Sequence, residues 1–427
     1  MPLAHDATLR CPTIRLAAGI PTTIAFFGSS ITMGHKNQGS FTGLIKPSLA
    51  AKMQSTNVTV ATHGYPGATP MFLAACVHRM VPTRADIYVV ESVDNMMPES
   101  AWPEARDAVE SIVTALRARS PKAAVLLLAP FPVSCTRLLR KQLRENGDLL
   151  AAARKCLRPD YSLAGMLEGI AQAARVPIVS VRQELAVPLL AHAASRNGTL
   201  GPWLDSFVAG DDVHPNLPGR HLLAKLVVDA LVTAAAGRGG ARSCWRLLPP
   251  ATQNRSASSS HVYGAFAKET NAVCAFGEEL RPLIRRSEGW HHVVERSEHT
   301  NHSKPGFVAR RPGSTIDFCF APPVAAVKRK ETMEWTAVYL QSYRHMGAVQ
   351  AGCIEGCTCA VRTWDAHITR RVSQSVLGKL KRVRVQEERA GDACPCVIRL
   401  KVLDATESGE HKFKLVGVLT GFYAYRG

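Results

Sequence analysis

The sequence predicts an α/β domain built on a parallel sheet, followed by a smaller β-sandwich-like domain. In the first 235 residues, apolar runs alternate with helical stretches. Strands that are apolar without interruption are typical of a parallel sheet that helices cover on both faces. In the C-terminal part the helical period largely disappears. Short β-like runs alternate there with turn signals, and this spacing favours a sandwich.

Five apolar runs and the segments between them define the elements of the first domain. Strands are predicted at residues 23–27, 58–62, 87–90, 124–128 and 177–181. Helices are predicted at residues 70–80, 101–118, within 136–175, and from about residue 218. In the second helix, four apolar residues recur at helical spacing and predict a buried face: Val109, Ile112, Val113 and Leu116.

Composition divides the chain into three parts, and 427 residues is an ordinary length for two domains. Residues 1–236 form the α/β domain. Residues 237–260 are a linker rich in glycine, serine and proline, and residues 261–427 form the β-rich domain. Four β-like runs are predicted in the β-rich domain, at residues 315–320, 335–340, 396–403 and 413–419.

The formal net charge of +18 is distributed unevenly along the chain. Residues 1–236 hold 23 Lys+Arg against 17 Asp+Glu, and the remainder holds 29 against 17. The C-terminal excess indicates either an anionic polymer or membrane surface as partner, or a solvated basic face. No nucleic-acid-binding motif accompanies it, so no nucleic-acid partner is expected. No apolar run reaches 18 residues, so no membrane span is expected.

The cysteine pattern favours disulfides over a metal site. Of twelve cysteines, five lie in two tight clusters, Cys353-x3-Cys357-x-Cys359 and Cys394-x-Cys396. Zinc-binding pairs are usually separated by about two to four residues, and C-x-C fits that spacing poorly. A metal-binding cysteine module within residues 353–396 and a set of free thiols are the alternatives.

Sequons agree with the cysteines in favouring a secretory or extracellular location. Residues 1–6 have neither the basic nor the apolar region of a signal peptide, so no signal sequence is predicted there. N-x-[ST] acceptor sites imply a secretory lumen. Four of the nine asparagines head such sequons: Asn57, Asn197, Asn254 and Asn301.

The first domain is organised around the stretch Ile24–Gly34, in which the first predicted strand ends. Gly28 is followed by Ser29 and Ser30 before the chain turns. A small residue at a strand-to-helix turn lets a serine point out at the carboxyl edge of a parallel sheet, where such folds keep their sites. Ser30 is therefore the predicted nucleophile. The alternative is a serine-rich helix cap.

A nucleophilic serine needs a base, and the base needs an orienting acid. Asp211 lies three residues before His214, in a loop just ahead of the last predicted helix. The carboxylate can accept the Nδ1–H of the imidazole, which leaves Nε2 to take the serine proton. Pro215 and Pro218 stiffen this loop. The alternative is that His214 is an ordinary surface histidine.

The same chemistry needs donors for a developing oxyanion. The Ser30 N–H at a helix start supplies one. Gly67, in the turn after the second strand, can bring its N–H close, and the Asn95 side-chain amide follows the third strand. The alternatives are an ordinary turn glycine and a loop cap.

These residues resemble the sequence blocks of the SGNH (GDSL-type) hydrolases. Gly28-Ser29-Ser30-Ile31-Thr32 is similar to their G-D-S-L/I-T block, and Asp211-Asp212-Val213-His214 to their D-x-x-H block. Gly67 matches the glycine of the second block and Asn95 the asparagine of the third. The order and spacing fit a complete domain over residues 15–235.

The resemblance implies a flavodoxin-like three-layer α/β/α fold with esterase, lipase or carbohydrate-deacetylase chemistry. It implies Ser30 as nucleophile, His214 as base and Asp211 as its partner, with an oxyanion hole from Ser30, Gly67 and Asn95. The C-terminal half resembles accessory β-domains of some SGNH proteins.

Two positions depart from the family pattern. Ser29 stands where the family has aspartate, so altered packing of the loop is expected rather than lost chemistry. The third block, usually G-x-N-D, reads Val93-Asp94-Asn95-Met96 here.

The leading hypothesis is a serine hydrolase that cleaves acyl esters, plausibly of an acylated polysaccharide held by the C-terminal domain. The reaction requires no cofactor and no metal. An O-acyltransferase using the same residues, and a non-catalytic glycan-binding protein that keeps the fold, are the alternatives.

Overall fold

The computed structural model describes residues 7–34, 39–54, 57–81, 84–91, 102–195, 198–236, 273–296, 303–322, 324–328, 330, 333–369 and 373–422. The chain divides into two compact units, residues 1–258 and 259–427. The predicted linker, residues 237–260, lies outside the described residues. Among the described helices, none combines the length and the apolar character needed to cross a membrane. Three of the four sequon asparagines also lie outside the described part: Asn197, Asn254 and Asn301.

The first unit is built on a five-stranded parallel sheet with the order β2-β1-β3-β4-β5, so the predicted α/β class is confirmed. Its strands are β1 Thr22–Gly28, β2 Val58–Gly64, β3 Ile87–Glu91, β4 Ala124–Ala129 and β5 Ile178–Ser180. Its described helices are α1 Ala7–Ala17, α2 Ser30–Met33, α3 Ile45–Met53, α4 Pro70–Met80, α5 Trp102–Arg119, α6 Val133–Arg144, α7 Leu149–Cys156, α8 Leu163–Ala174, α9 Val181–Glu184, α10 Ala186–Ala194, α11 Leu200–Asp205 and α12 Leu217–Ala236.

The inner strands β1, β3 and β4 are largely apolar because helices cover both faces of the sheet there, whereas the edge strand β2 is partly exposed. Successive side chains of a strand point to opposite faces. Ile24 and Phe26 of β1 pack into the core that also holds residues of α1 and α12. Phe27, one residue further, is equally buried on the other face. The predicted inward face of α5 is buried too, which leaves its other residues to meet solvent.

The helices of the first unit differ from the sequence-based prediction, which did not include α3, α9, α10 or α11. The helix α1 was not predicted, because its eleven residues have almost no amphipathic pattern and contain Pro12. The helical stretch within 136–175 is divided into α6, α7 and α8. The break after α6 has a local cause: Asn146 adopts φ +49°, Gly147 follows, and the Asp148 carboxylate caps α7 by accepting from Ala151 N.

The second unit consists of two antiparallel sheets. One has the order β14-β12-β16-β10-β7, and the other has the order β13-β15-β11-β17-β9-β8, with β6 also paired to β17. Its strands are β6 Val273–Phe276, β7 Ile284–Glu288, β8 Trp290–Arg296, β9 Ser303–Ala309, β10 Thr315–Phe320, β11 Met333–Ser342, β12 Ala348–Glu355, β13 Cys357–Thr358, β14 Arg362–Asp365, β15 Ser373–Val385, β16 Cys396–Val402 and β17 Phe413–Phe422. The short helix α13, Val324–Lys328, precedes β11.

The two sheets share one core, which gives the predicted sandwich-like arrangement. Phe318 of the first sheet and Trp335 of the second lie with ring centroids 5.6 Å apart, and both are fully buried.

All four β-like runs that the sequence predicts in this unit are strands. The longest strand, β15, was missed because its basic residues resemble a solvated charge run and Gly378 interrupts it. That glycine makes room for an indole, since a Cβ there would lie 2.5 Å from the Trp364 ring.

Six described cysteines of the second unit pair with one another in three disulfides. Cys319 pairs with Cys394, Cys353 with Cys359, and Cys357 with Cys396, at Cα–Cα distances of 5.3, 5.6 and 5.1 Å. The last pair joins β13 of one sheet to β16 of the other. The sulfurs of Cys353, Cys357 and Cys396 lie within 4.8 Å of one another. Because each is held in a disulfide, none is a thiolate that could bind a metal.

We expect peptide mapping of the unreduced protein to recover these three pairs. The buried thiol of Cys156, in the first unit, is the control, because it should be alkylated without reductant once the chain is unfolded. Replacing both Cys357 and Cys396 with alanine should lower the free energy of unfolding by about 4 kcal/mol, since their bond closes a loop of 39 residues. Alkylation of all six cysteines without reductant would contradict the pairing.

Candidate active site

Three predicted site residues, separated by up to 184 positions in the sequence, form one hydrogen-bonded chain. The Ser30 Oγ lies 2.8 Å from His214 Nε2. The other ring nitrogen, Nδ1, lies 2.6 Å from Asp211 Oδ2. With the ring proton on Nδ1, that nitrogen donates to the carboxylate and Nε2 accepts from the serine hydroxyl. This is the geometry needed to transfer a proton from the hydroxyl to the imidazole.

The Asp211 carboxylate is held by the backbone as well as by the imidazole. Its Oδ1 accepts from the N–H groups of His214 and Val213, at 2.9 and 3.0 Å. Partial burial would raise the pKa of Asp211, but these bonds and the ring N–H stabilise its charged form more strongly. The pKa of Asp211 therefore lies well below its usual range.

The loop that carries Asp211 and His214 is braced on both sides. The His214 carbonyl accepts from Ala209 N at 2.8 Å, which closes the loop on itself. Asp212, whose φ is +64°, forms an ion pair with Arg140 of α6. Arg140 also donates to Asp205 at the end of α11, at 2.7 Å. One guanidinium thus ties the residue between Asp211 and His214 to two neighbouring helices.

Ser30 is the first residue of α2, at the carboxyl end of β1, which lies between β2 and β3 in the sheet. The helix packs directly on β2, because Gly64 has no side chain: a Cβ there would lie 2.3 Å from Met33 N. Ser29 is the N-cap, and its hydroxyl accepts from Ile31 N at 3.3 Å. The helix-cap interpretation therefore describes Ser29, whereas the Ser30 hydroxyl faces His214.

The sequence-based prediction missed a fully buried acid beside Ser30. Glu91 is the last residue of β3, and its carboxylate accepts hydrogen bonds from Ser29 and Thr32. The altered loop packing expected at Ser29 therefore takes the form of a bond to a neighbouring strand. The sequence carries one signal that could have indicated this acid: Glu91 is a charged residue that directly follows the apolar run 87–90.

Of the other two predicted oxyanion residues, the structure describes Gly67 but not Asn95. Gly67 lies in the turn after β2 with φ +74°, at the third position of a turn that Pro66 enters and that Ala68 N closes onto Tyr65 O at 3.0 Å. A side chain would strain that conformation. The Tyr65 N–H donates to Gly28 O at 2.9 Å, so this turn is attached to the end of β1. Asn95 lies outside the described residues.

We expect ester hydrolysis to decline toward acidic pH with a slope of one proton. A protonated His214 ring has no lone pair at Nε2 and cannot accept the serine proton. The pKa of Asp211 lies so far below this range that its carboxylate stays ionised and does not contribute to the decline. Measuring kcat/KM from about pH 4 to about pH 8, with circular dichroism as the control for folding, checks this. A profile that is flat to the acidic end would contradict it.

Comparison with known proteins agrees with this fold. Residues 26–222 match the GDSL-like Lipase/Acylhydrolase family. A crystal structure of a two-domain esterase active on acetylated mannans is similar over 98% of this chain and 95% of its own, with a TM-score of 0.63 and 16% identity. The same enzyme co-crystallised with mannopentaose gives a TM-score of 0.61 at 15% identity. No curated protein matches the sequence.

The parallel α/β sheet and the family match together define the first unit as an α/β acylhydrolase. Within that class, residues 26–222 carry a GDSL-like lipase/acylhydrolase domain. The protein is thus an SGNH-type esterase with a second, β-rich domain. The two-domain mannan esterase has the same fold as this chain over nearly its full length.

Proposed function

We propose that the protein hydrolyses acyl esters through an acyl-enzyme formed on Ser30. The observation that carries this proposal is the hydrogen-bonded chain from Ser30 through His214 to Asp211, with distances of 2.8 and 2.6 Å. An acid alone, or a histidine alone, would have no such chemistry. The two contacts together make the hydroxyl a nucleophile at neutral pH.

The steps follow from these contacts. Ser30 Oγ attacks the ester carbonyl carbon while His214 Nε2 takes its proton, and Asp211 stabilises the imidazolium. The tetrahedral intermediate collapses, and the alcohol leaves with the proton from Nε2. Water then attacks the acyl-enzyme and gives its proton to Nε2, and the acid departs as that proton returns to Ser30 Oγ.

The oxyanion of each tetrahedral intermediate needs donors that are already in position. We assign the Ser30 N–H at the start of α2, the N–H of Gly67 and the side-chain amide of Asn95 to this role. The Ser30 N–H is favoured because it lies at a helix N-terminus. The Gly67 N–H is favoured by the attachment of its turn to Gly28.

The substrate class we propose is an acetylated polysaccharide. One observation supports it: the esterase active on acetylated mannans has the same two-domain fold. In this proposal residues 1–236 perform the chemistry, residues 237–260 link the domains, and residues 261–427 hold the polymer.

Labelling with a fluorophosphonate probe tests the nucleophile without knowledge of the substrate. We expect one label per chain, on Ser30, together with hydrolysis of a short-chain aryl acetate. Acetate release from acetylated mannan, compared with a deacetylated sample as control, then tests the substrate class. Acetyl transfer to a sugar hydroxyl in place of acetate release would indicate the transferase. A chain that neither labels nor turns over would indicate the glycan-binding alternative.

A further inference from the structure

The carboxylate of Glu91 is fully buried and surrounded by donors from the turn that carries Ser30. Its Oε2 accepts from Ser29 N at 2.7 Å, Ser29 Oγ at 2.9 Å, Thr32 Oγ1 at 2.9 Å and Thr32 N at 3.3 Å. Its Oε1 accepts from Ser29 Oγ at 3.1 Å. Every one of these donors belongs to the residue before Ser30 or to the residue two positions after it.

The close approach of this carboxylate accounts for a third residue of the same motif. A Cβ at Gly28 would lie 2.5 Å from both Glu91 Oε2 and Thr32 Oγ1. Glycine is therefore required if the acid is to reach the turn. Three residues of the motif, Gly28, Ser29 and Thr32, thus meet one acid on the neighbouring strand, 59 to 63 positions further along the chain.

A fully buried carboxylate is costly, and here it occupies a place where an apolar residue would continue the core of β3. Burial raises the pKa of Glu91, while the bonds from Ser29 and Thr32 oppose that rise. These bonds offset part of the cost of burial, so the acid is held where the Ser30 turn supplies its donors.

We infer that Glu91 is a positioning residue that fixes the turn of Ser30 and so sets its hydroxyl toward His214 and its N–H toward the oxyanion. This inference rests on the proposed function. Glu91 acts on the peptide groups on both sides of Ser30, and it does not touch the hydroxyl itself. Loss of its acceptors would leave the Ser29 and Thr32 N–H groups buried without partners and would let the turn shift.

The test compares two substitutions at Glu91 with a matched buried acid elsewhere. We expect Glu91→Leu, which removes both acceptors, to lower kcat on an aryl acetate by about 100-fold with little change in KM. Glu91→Gln keeps one oxygen acceptor and should restore kcat to within about tenfold of the wild-type value. Rates are counted per site reactive to fluorophosphonate, so that unfolded chains do not contribute.

The control is Glu168→Gln. Glu168 is also a buried acid of this domain, but its partners are Ser180 and Arg182, away from the Ser30 turn. This variant should lose thermal stability and keep the wild-type kcat. If Glu91→Leu fails to fold, Ser29→Ala combined with Thr32→Val removes two of the donors and should lower kcat by about tenfold.

Folded Glu91 variants with wild-type kcat would overturn the inference and leave the proposed function standing. The inference would also be overturned if Glu168→Gln lowered kcat as much as the Glu91 variants do, because the loss of any buried acid would then have that effect. A wild-type chain that neither labels nor hydrolyses the ester would overturn the proposed function, and this inference with it.

Discussion

Replacing Ser30 with alanine is expected to lower kcat for ester hydrolysis by about a million-fold and to abolish fluorophosphonate labelling. The substitution removes the atom that forms the acyl-enzyme and leaves His214 without its hydroxyl partner at 2.8 Å. The remaining acceleration would come from oxyanion donors and binding alone. Both readouts are needed, because labelling reports the nucleophile and turnover reports the whole cycle.

The control for this prediction is Ser206→Ala. Ser206 is an exposed serine of the same unit whose hydroxyl donates to Trp203 O at 2.6 Å within its own helix end. It should label and turn over as the wild-type protein does. Retention of turnover by Ser30→Ala, with the thermal midpoint unchanged, would show that another residue is the nucleophile.

Replacing Asp211 with asparagine is expected to lower kcat by about ten-thousand-fold while the fold stays intact. The amide can donate to the imidazole where the carboxylate can only accept, so it favours the ring tautomer that protonates Nε2. That tautomer cannot take the serine proton. The change also removes the negative charge that stabilises the imidazolium, at the 2.6 Å contact to Nδ1.

Asp160→Asn is the matched control for that substitution. Asp160 also pairs with a basic residue, Arg158, but on the exposed surface of the unit. It should keep the wild-type kcat. A wild-type rate in Asp211→Asn would mean that the short contact to His214 has no part in the reaction, and the proton-transfer scheme would need a different acid.

Much of this site follows from a general property of parallel sheets. The carboxyl ends of parallel strands meet at one edge, so residues that directly follow different strands come together whatever their separation in sequence. Ser30 follows β1, the Gly67 turn follows β2, and Glu91 ends β3. The loop with His214 then closes over the same edge, directly before α12.

The sequence by itself determined the α/β class, the five strands of the parallel sheet and the β-rich, sandwich-like character of the C-terminal domain. It also indicated Ser30, Asp211 and His214 as partners. These features depend on local patterns: continuous apolar runs, a glycine before two serines at a strand end, and a three-residue spacing from Asp to His. Such patterns are visible in one sequence because neighbouring residues produce them.

Only the tertiary structure decided what depends on distant residues. Cysteine spacing could favour disulfides but could not select partners, because the pairing of Cys357 with Cys396 follows from how β13 and β16 lie in the two sheets. Glu91 looked like the polar end of an apolar strand. The role of Glu91 depends on Ser29 and Thr32. The register of β1 and β3 brings these two residues next to its carboxylate, and a buried carboxylate is stabilised only by the donors around it.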